Sequence, residues 1–153
     1  MQRKSFCSLK IEKDTSQHSL SAINRLLKQL SSDVRPLRMR ELIEILKRSH
    51  ILLVRVQGKM KSDPYSIVGM GCLVEIHTPS GRSGRIEDVV IDKRHRGRSL
   101  GERLIKALIR RANDRGCRYV ELTSRPQRKA ANLLYQKLGL QRRETNVFRL
   151  PLP

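Results

Sequence analysis

In the run Arg94-His95-Arg96-Gly97-Arg98-Ser99-Leu100-Gly101, cations and small residues stand where a strand-like segment gives way to a helical one. A short apolar run ends at Ile91, and an amphipathic pattern begins at once after the turn. The first turn of a helix leaves backbone N–H groups without partners, and the helix dipole adds partial positive charge there. Gly97, Ser99 and Gly101 give an anion close access to such amides, while Arg94, Arg96 and Arg98 add field around them. The chemistry that fits is a seat for a phosphate or pyrophosphate. A tight turn with solvated arginines fits the same spacing. Two familiar phosphate loops do not fit. No Lys-Ser or Lys-Thr pair follows Gly101, and the Gly97–Gly101 spacing departs from G-x-G-x-x-G without a βαβ order before it.

Other groups could carry proton chemistry. Glu87 and Asp88 stand just before the apolar run. Side chains alternate across a regular strand, so only one of the two can face a given side. Glu87, on the same face as Val89, is the favoured base, directly or through water, although both acids have arginines at hand for simple pairing. Tyr135 lies on a later helical stretch and offers a phenol. His18, His50, His77 and His95 show no ligand spacing, and Cys7, Cys72 and Cys117 form neither a zinc pattern nor a disulfide framework, so no metal is expected.

These groups must be positioned by an alternating set of elements. Residues 4–13 read as a strand. Leu20, Ile23, Leu26, Leu27 and Leu30 have helical spacing over 19–30, and Leu42, Ile43 and Leu46 repeat it over 38–49. Strands follow at 50–59, 65–78 and 85–92, with "PSGRSG" as a turn. A helix runs from the glycine-arginine turn to about Asn113, with Gly116 as its stop. A strand at 117–124, a helix at 127–139 and one or two strand segments over 141–150 complete the chain. The order predicts an α+β fold, a mixed sheet with helices on its faces.

The chain has 153 residues, enough for one domain with a proper core, so a single domain over 1–153 is expected. Aromatics are 3% and Trp is absent, which leaves the core to Leu, Ile and Val. There is no apolar run of membrane-spanning length and no secretion-signal pattern at the N-terminus, so no membrane association and a cytoplasmic location are expected. Thirty-three Lys and Arg against 14 acids give a formal charge of +19, which suits an anionic partner or a solvated surface. Two phenylalanines and three tyrosines offer few stacking platforms, so no specific nucleic-acid recognition is expected.

The segment Arg94-His95-Arg96-Gly97-Arg98-Ser99 resembles the [QR]-x-x-G-x-[GA] signature of the GNAT superfamily of N-acetyltransferases, with Ser in the last small position. "IEDVVIDKRHRGRSLGERLI" is similar to that family's fourth strand, pyrophosphate loop and third helix, and "AANLLYQKLGLQRRE" to its fourth helix and final strands. The resemblance covers about 85–150; over 1–80 it rests on element order. It implies acetyl-CoA as cofactor, CoA as product and a mostly antiparallel central sheet. It implies that the pantetheine arm enters a gap beside the fourth strand and pairs with the backbone of Val89, Val90 and Ile91. The pyrophosphate would then sit on the amides of Arg96, Gly97, Arg98, Ser99, Leu100 and Gly101. An N–H near Val89 or Val90 would polarise the thioester carbonyl. Tyr135 would donate a proton to the leaving thiolate. Where many members carry Asn, seven residues before this Tyr, the chain has Arg128, so Arg128 or Lys129 would touch CoA phosphate instead. Asn132 is out of register with that place.

The resemblance implies attack by a primary amine in a ternary complex. "Ile86-Glu87-Asp88-Val89-Val90" is similar to the same segment in the family's glucosamine-phosphate branch. Arg35, Arg38 and Arg40, in the link between the first helices, hint at an anionic small-molecule acceptor. A protein N-terminal or lysine amine, a basic nucleic-acid-binding module and a CoA-binding regulator without catalysis remain the alternatives, and a homodimer is left open.

Overall fold

The computed structural model describes residues 7–12, 15–60 and 63–152. They form two compact units, Met1–Thr123 and Ser124–Pro153. In the first unit β1 (Cys7–Glu12), β2 (Ser49–Met60), β3 (Asp63–Thr78), β4 (Gly81–Ile91) and β5 (Val120–Glu121) make one sheet in the order β1-β2-β3-β4-β5. The first three pairings are antiparallel and β4–β5 is parallel. The helices are α1 (Gln17–Leu30), α2 (Met39–Arg48) and α3 (Leu100–Asp114) in the first unit and α4 (Lys129–Lys137) in the second. No described helix is long and apolar enough to cross a membrane.

The sheet is covered on both faces, as the mixed α+β reading requires. Leu20, Ile23 and Leu26 of α1 and Leu42 of α2 cluster with Ile51, Leu53, Met70, Cys72 and Val90. The opposite parity of β2 and β3, including Leu52, Val54 and Leu73, faces α3 with Leu104, Ile105 and Leu108. Gly71 brings α3 close: a Cβ there would stand 2.8 Å from Leu108 Cδ1. A side chain at 71 would therefore lift the helix that carries the phosphate turn at its other end.

Helix starts follow local chemistry. Ser16 caps α1 by accepting from Ser19 N at 3.2 Å. At α2 the Glu41 carboxylate accepts from Arg38 N at 2.8 Å, half of a capping box, because an Arg side chain has no acceptor. Asn24 bridges α1 to the link before α2 through Leu37 N and O, at 2.7 and 2.9 Å.

Two expectations are corrected in the later part of the chain. The strand expected over 117–124 shrinks to Val120–Glu121: Cys117 N closes the end of α3 on Ala112 O, while Arg118 N donates to Arg82 O and Tyr119 O accepts from Gly84 N, both of β4, ahead of the short strand. No strand forms over 141–150. A strand exists only by sharing backbone hydrogen bonds with a neighbour, usually while burying one face. There Val147 and Phe148 are adjacent rather than alternating, and both are exposed, at 68% and 90%. Elsewhere the strands run longer than expected: β2 continues through Gly58, and β4 begins at Gly81, since the β3 ladder continues past these glycines.

Candidate active site

The site begins with an irregularity in β4. Met70 pairs with Val90 and Cys72 pairs with Glu87, so Asp88 and Val89 together oppose Gly71. This is a β-bulge, and Asp88 carries it with φ 53°. Asp tolerates this left-handed region better than most residues. The bulge overturns the regular alternation assumed for Glu87 and Val89. Cross-strand partners share a face, so Glu87 lies with Cys72, and Val90 lies with Met70, all toward α1 and α2. Glu87 thus shares its face with Val90 rather than Val89.

The two acids differ in company. Glu87 accepts from Arg85 Nε at 2.6 Å. Asp88 has no hydrogen-bond or ion-pair partner among the described residues. Partial burial pushes its carboxyl above the ordinary value and the Glu87 charge adds to that, although the residue keeps an exposed surface. Burial pushes the Cys72 thiol up to about 11, with the Ser49 hydrogen bond opposing and the charges of Asp88 and Glu87 reinforcing. Both carboxylates are therefore near enough to act on the Cys72 thiol.

Beyond Arg85, β4 has an open edge. β5 pairs only with Gly84 and Arg85, and no other described residue ladders onto β4 there. Asp92 N donates to Val68 O of β3 at 2.8 Å. The Ile91 carbonyl, in the same peptide, must then point the other way, and an extended residue directs its N–H and C=O to one side. Ile91 therefore offers both groups to the open edge, and Val90 turns its own toward β3. This narrows the expected Val89–Ile91 pairing segment: Val90 N–H is directed away from the edge. The Arg96 side chain covers the Ile91 carbonyl, donating Nε at 3.1 Å.

The turn after β4 is held at its root. Asp92 is fully buried and accepts from Arg25 Nη1 at 2.5 Å and from Arg94 N, Nε and Nη2 at 3.0, 3.1 and 2.9 Å. The Arg94 hydrogen bonds hold its carboxyl far below the ordinary range, against the effect of burial. Arg25 also donates to Ile67 O at 2.6 Å, and Gln29 Oε1 accepts from Lys93 N at 3.0 Å. A single turn of 3-10 helix, Lys93–His95, leads into the exposed residues Arg96 to Ser99.

Gly97 has φ 76° and Ser99 φ 55°. A Cβ at 97 would meet nothing within 4 Å, so the backbone conformation and the open space before it, not crowding, call for glycine. Ser99 is the N-cap of α3 but makes no side-chain cap bond, and Arg103 N is the first amide to return a helical bond, to Ser99 O. The amides of Leu100, Gly101 and Glu102 thus have no helical acceptor. With Arg96 and Arg98 beside them, these donors suit a pyrophosphate. Glu102, the acid of this first turn, is paired with Lys106 at 2.8 Å. The turn expected from the spacing is present, and its residues fit a CoA-type cofactor.

The remaining candidates lie in the second unit. Tyr135 is buried on α4, at 8% exposure, and burial pushes its phenol up while the Arg128 charge opposes this. Arg128 is the exposed N-cap of α4. Asn132 turns its amide back onto Arg125 O at 3.1 Å and braces the helix start. In the first unit Arg35 is engaged by Glu41 at 2.5 Å, while Arg40 lines an open groove with Glu41, Glu44 and Ile45. The described residues include no group of three or more His, Cys, Asp and Glu arranged to hold a metal ion. Sequence reasoning missed Arg25, Gln29 and Asp92. Only Asp92 had a signal, as an acid placed between an apolar run and a cationic turn.

Known proteins share this fold. The model of the acetyltransferase (GNAT) family matches residues 20–140, across both units. A protein of Oryza sativa subsp. japonica named probable glucosamine 6-phosphate N-acetyltransferase 2 is 35% identical over 94 residues, which are 59% of this chain and 53% of that protein. The chain matches about half or less of the length of such curated relatives. The crystal structure of a Trypanosoma brucei acetyltransferase superposes with a TM-score of 0.73 at 29% identity, covering 96% of this chain and 100% of that one. Aminoglycoside N-acetyltransferase AAC(6')-Iy, solved in complex with CoA, gives 0.77 at 18% identity, covering 99% and 98%.

Proposed function

Because the chain belongs to the acetyltransferase (GNAT) family, we propose that it transfers the acetyl group of acetyl-CoA to a primary amine by direct attack within a ternary complex. The observation that carries this reading is the free edge of β4 beyond Arg85 leading straight into the uncapped start of α3. The Leu100, Gly101 and Glu102 amides, with Arg96 and Arg98, would hold the pyrophosphate. Ile91 N–H would hold the arm along the edge. When bound, acetyl-CoA supplies a thioester whose carbonyl carbon is the electrophile.

An amine is mostly protonated at neutral pH, so a base must accept its proton first. Asp88 takes that role in this reading, in place of Glu87. Its raised carboxyl pKa brings it nearer the working range of a base, whereas Glu87 is occupied by Arg85. The left-handed backbone at 88 is itself the kind of strain that accompanies function. Tyr135 Oη would hold the proton that the departing sulfur takes up. Val89 N–H would assist at the carbonyl oxygen as charge develops.

The acceptor we propose is a small amine that carries an anionic group, of the amino-sugar phosphate class. The name of the rice relative and the segment Ile86–Val90 support this, and the basic surface favours such a substrate. The test is a CoA-release assay against glucosamine 6-phosphate, unphosphorylated amino sugars, amino acids, polyamines and peptides with free N-termini. Turnover with the phosphorylated sugar well above the unphosphorylated one is expected. Preference for peptides would overturn the acceptor assignment, and no turnover with any amine, despite acetyl-CoA binding, would overturn the catalytic reading.

A further inference from the structure

The far end of α3 carries a second cationic surface that the acetyl-transfer reading does not use. Arg111 Nη2 meets His50 Nδ1 at 3.2 Å, and His50 Nε2 meets Glu75 Oε1 at 2.7 Å. Arg115 Nε donates to the same Glu75 oxygen at 2.7 Å. Arg82 donates to Arg115 O at 2.5 Å, Arg118 N donates to Arg82 O at 3.0 Å, and the Arg118 side chain donates to Ser80 O. This is one continuous network across β2, β3, β4, α3 and the approach to β5.

Its charge does not balance. Among the described residues, only Arg115 of its four guanidinium groups meets a carboxylate, Glu75, which His50 and His77 also approach at 2.7 and 3.5 Å. Burial favours a neutral Glu75, but the hydrogen bonds from Arg115 and His50 win and hold it at about 2. It is ionised and already used. The side chains of Arg82 and Arg118 donate to carbonyls, which orient a guanidinium without neutralising it. Arg111 meets an imidazole, and its Nε is buried with no partner. Cations fixed in place lose less freedom on binding than free surface chains do.

We propose that this surface, formed by Arg82, Arg111, Arg115 and Arg118, binds the phosphodiester backbone of duplex nucleic acid without reading its sequence. Phosphate contacts need cations and no stacking aromatics, and they position without specifying. The scarcity of aromatics argues against base recognition and leaves this mode untouched. A linear array of phosphates also suits a chain whose excess cations, +19 in all, are spread over it. α3 has 15 residues, so the surface lies about 22 Å from the pyrophosphate turn and can be altered separately.

The test is fluorescence anisotropy with a short fluorescein-labelled duplex, titrated with protein from about 50 to 200 mM salt. The wild type should bind with a steep salt dependence and with little difference between unrelated sequences. Arg82→Gln/Arg118→Gln should lower the log–log salt slope by about two, at roughly 0.9 per phosphate contact. Arg82→Lys/Arg118→Lys should retain most of it. Acetyl-CoA affinity by calorimetry should stay unchanged in both. Should the Gln pair fail to fold, phenylglyoxal labelling of the wild type reads the same surface, with Arg82 and Arg118 protected by duplex. Unchanged slope, absent protection or no binding at the lowest salt would overturn the proposal. Displacement of the duplex by polyglutamate at equal charge concentration would assign the surface to an acidic polypeptide instead.

Discussion

Asp92 and Arg25 meet at 2.5 Å across 67 positions of sequence, joining the end of β4 to the middle of α1. The carboxylate is fully buried and the guanidinium is 41% exposed. The same carboxylate receives Arg94 from the turn itself, so helix, strand and turn share one anchor.

Asp92→Asn should loosen that anchor. Replacing a buried ionised acceptor with an amide weakens three charged hydrogen bonds, one from Arg25 and two from Arg94, and leaves donors facing an NH₂ group. The loss should be about 1–3 kcal/mol, toward the lower end because both arginines reach water. Urea unfolding measures it. Acetyl-CoA should bind more weakly, and an unchanged midpoint with unchanged affinity would show that the turn is held by other means.

Gly97 separates backbone from charge effects. Its φ of 76° with open space around it means that Gly97→Ala should cost about 1 kcal/mol, from conformation alone. Gly97→Glu should add little further instability, yet abolish acetyl-CoA binding by repelling its phosphates. Calorimetry on the folded Glu variant decides. Equal affinities for the two variants would remove the pyrophosphate from this turn.

The base assignment has a pH signature. If Asp88 accepts the amine proton, activity should rise as pH increases through its raised carboxyl pKa. Asp88→Asn, whose side chain tolerates the left-handed backbone, should remove that limb and lower turnover by about 10²–10⁴-fold. Glu87→Gln should keep the limb while leaving Arg85 its longer ion pair with Glu121, at 3.8 Å. The reverse pattern in kcat/KM profiles would return the role to Glu87.

Tyr135→Phe isolates the hydroxyl, since the ring and most of its packing remain. If the phenol protonates the leaving sulfur, turnover should fall about 10²–10⁴-fold with little change in acetyl-CoA affinity. Burial pushes this phenol up, so it stays protonated through neutral pH. Turnover within a few-fold of wild type, with chemistry rate-limiting, would leave Tyr135 as a packing residue.

Acid stability should report Glu75. Its pKa is lowered to about 2, so its contribution is complete above the unfolded carboxyl value of ~4.3 and is lost as pH falls through about 2. Thermal melts between those limits should decline with acidification, and Glu75→Gln should flatten that part of the curve. An equally steep decline in the variant would place the linkage elsewhere.

The helices and the central strands were legible because each buries one stripe or face. Leu20, Ile23 and Leu26 announce α1, and the β-branched run after His50 announces β2. The phosphate turn was legible from small residues set among cations at a change of period. The bulge was not, since nothing in Ile86–Ile91 interrupts a plausible strand; it arises from how β4 meets Gly71 of β3. Arg25 was invisible because its partner lies far along the chain. Arg96 was read for its charge and its amide, while its side-chain contact with Ile91 O depends on an edge left open by the short β5. That brevity was hidden too, because Cys117–Ser124 has a strand-like composition, and the closing bond from Cys117 to Ala112 is a tertiary contact.

The extra residue at Asp88–Val89 makes β4 a strand with two phases. Before it, even-numbered Ile86 faces α3; after it, even-numbered Val90 faces α1 and α2. One chain segment can thus serve as packing surface in its first half and present a binding edge in its second, with the ladder to β3 resuming on both sides of the bulge. Deleting Val89 would not simply shorten the strand. It would turn the half before Asp92 over, or shift the whole turn by a residue, and either outcome would part Asp92 from Arg25. The parity of this strand thus constrains the chain length between Glu87 and Val90, because that length decides which face each half presents.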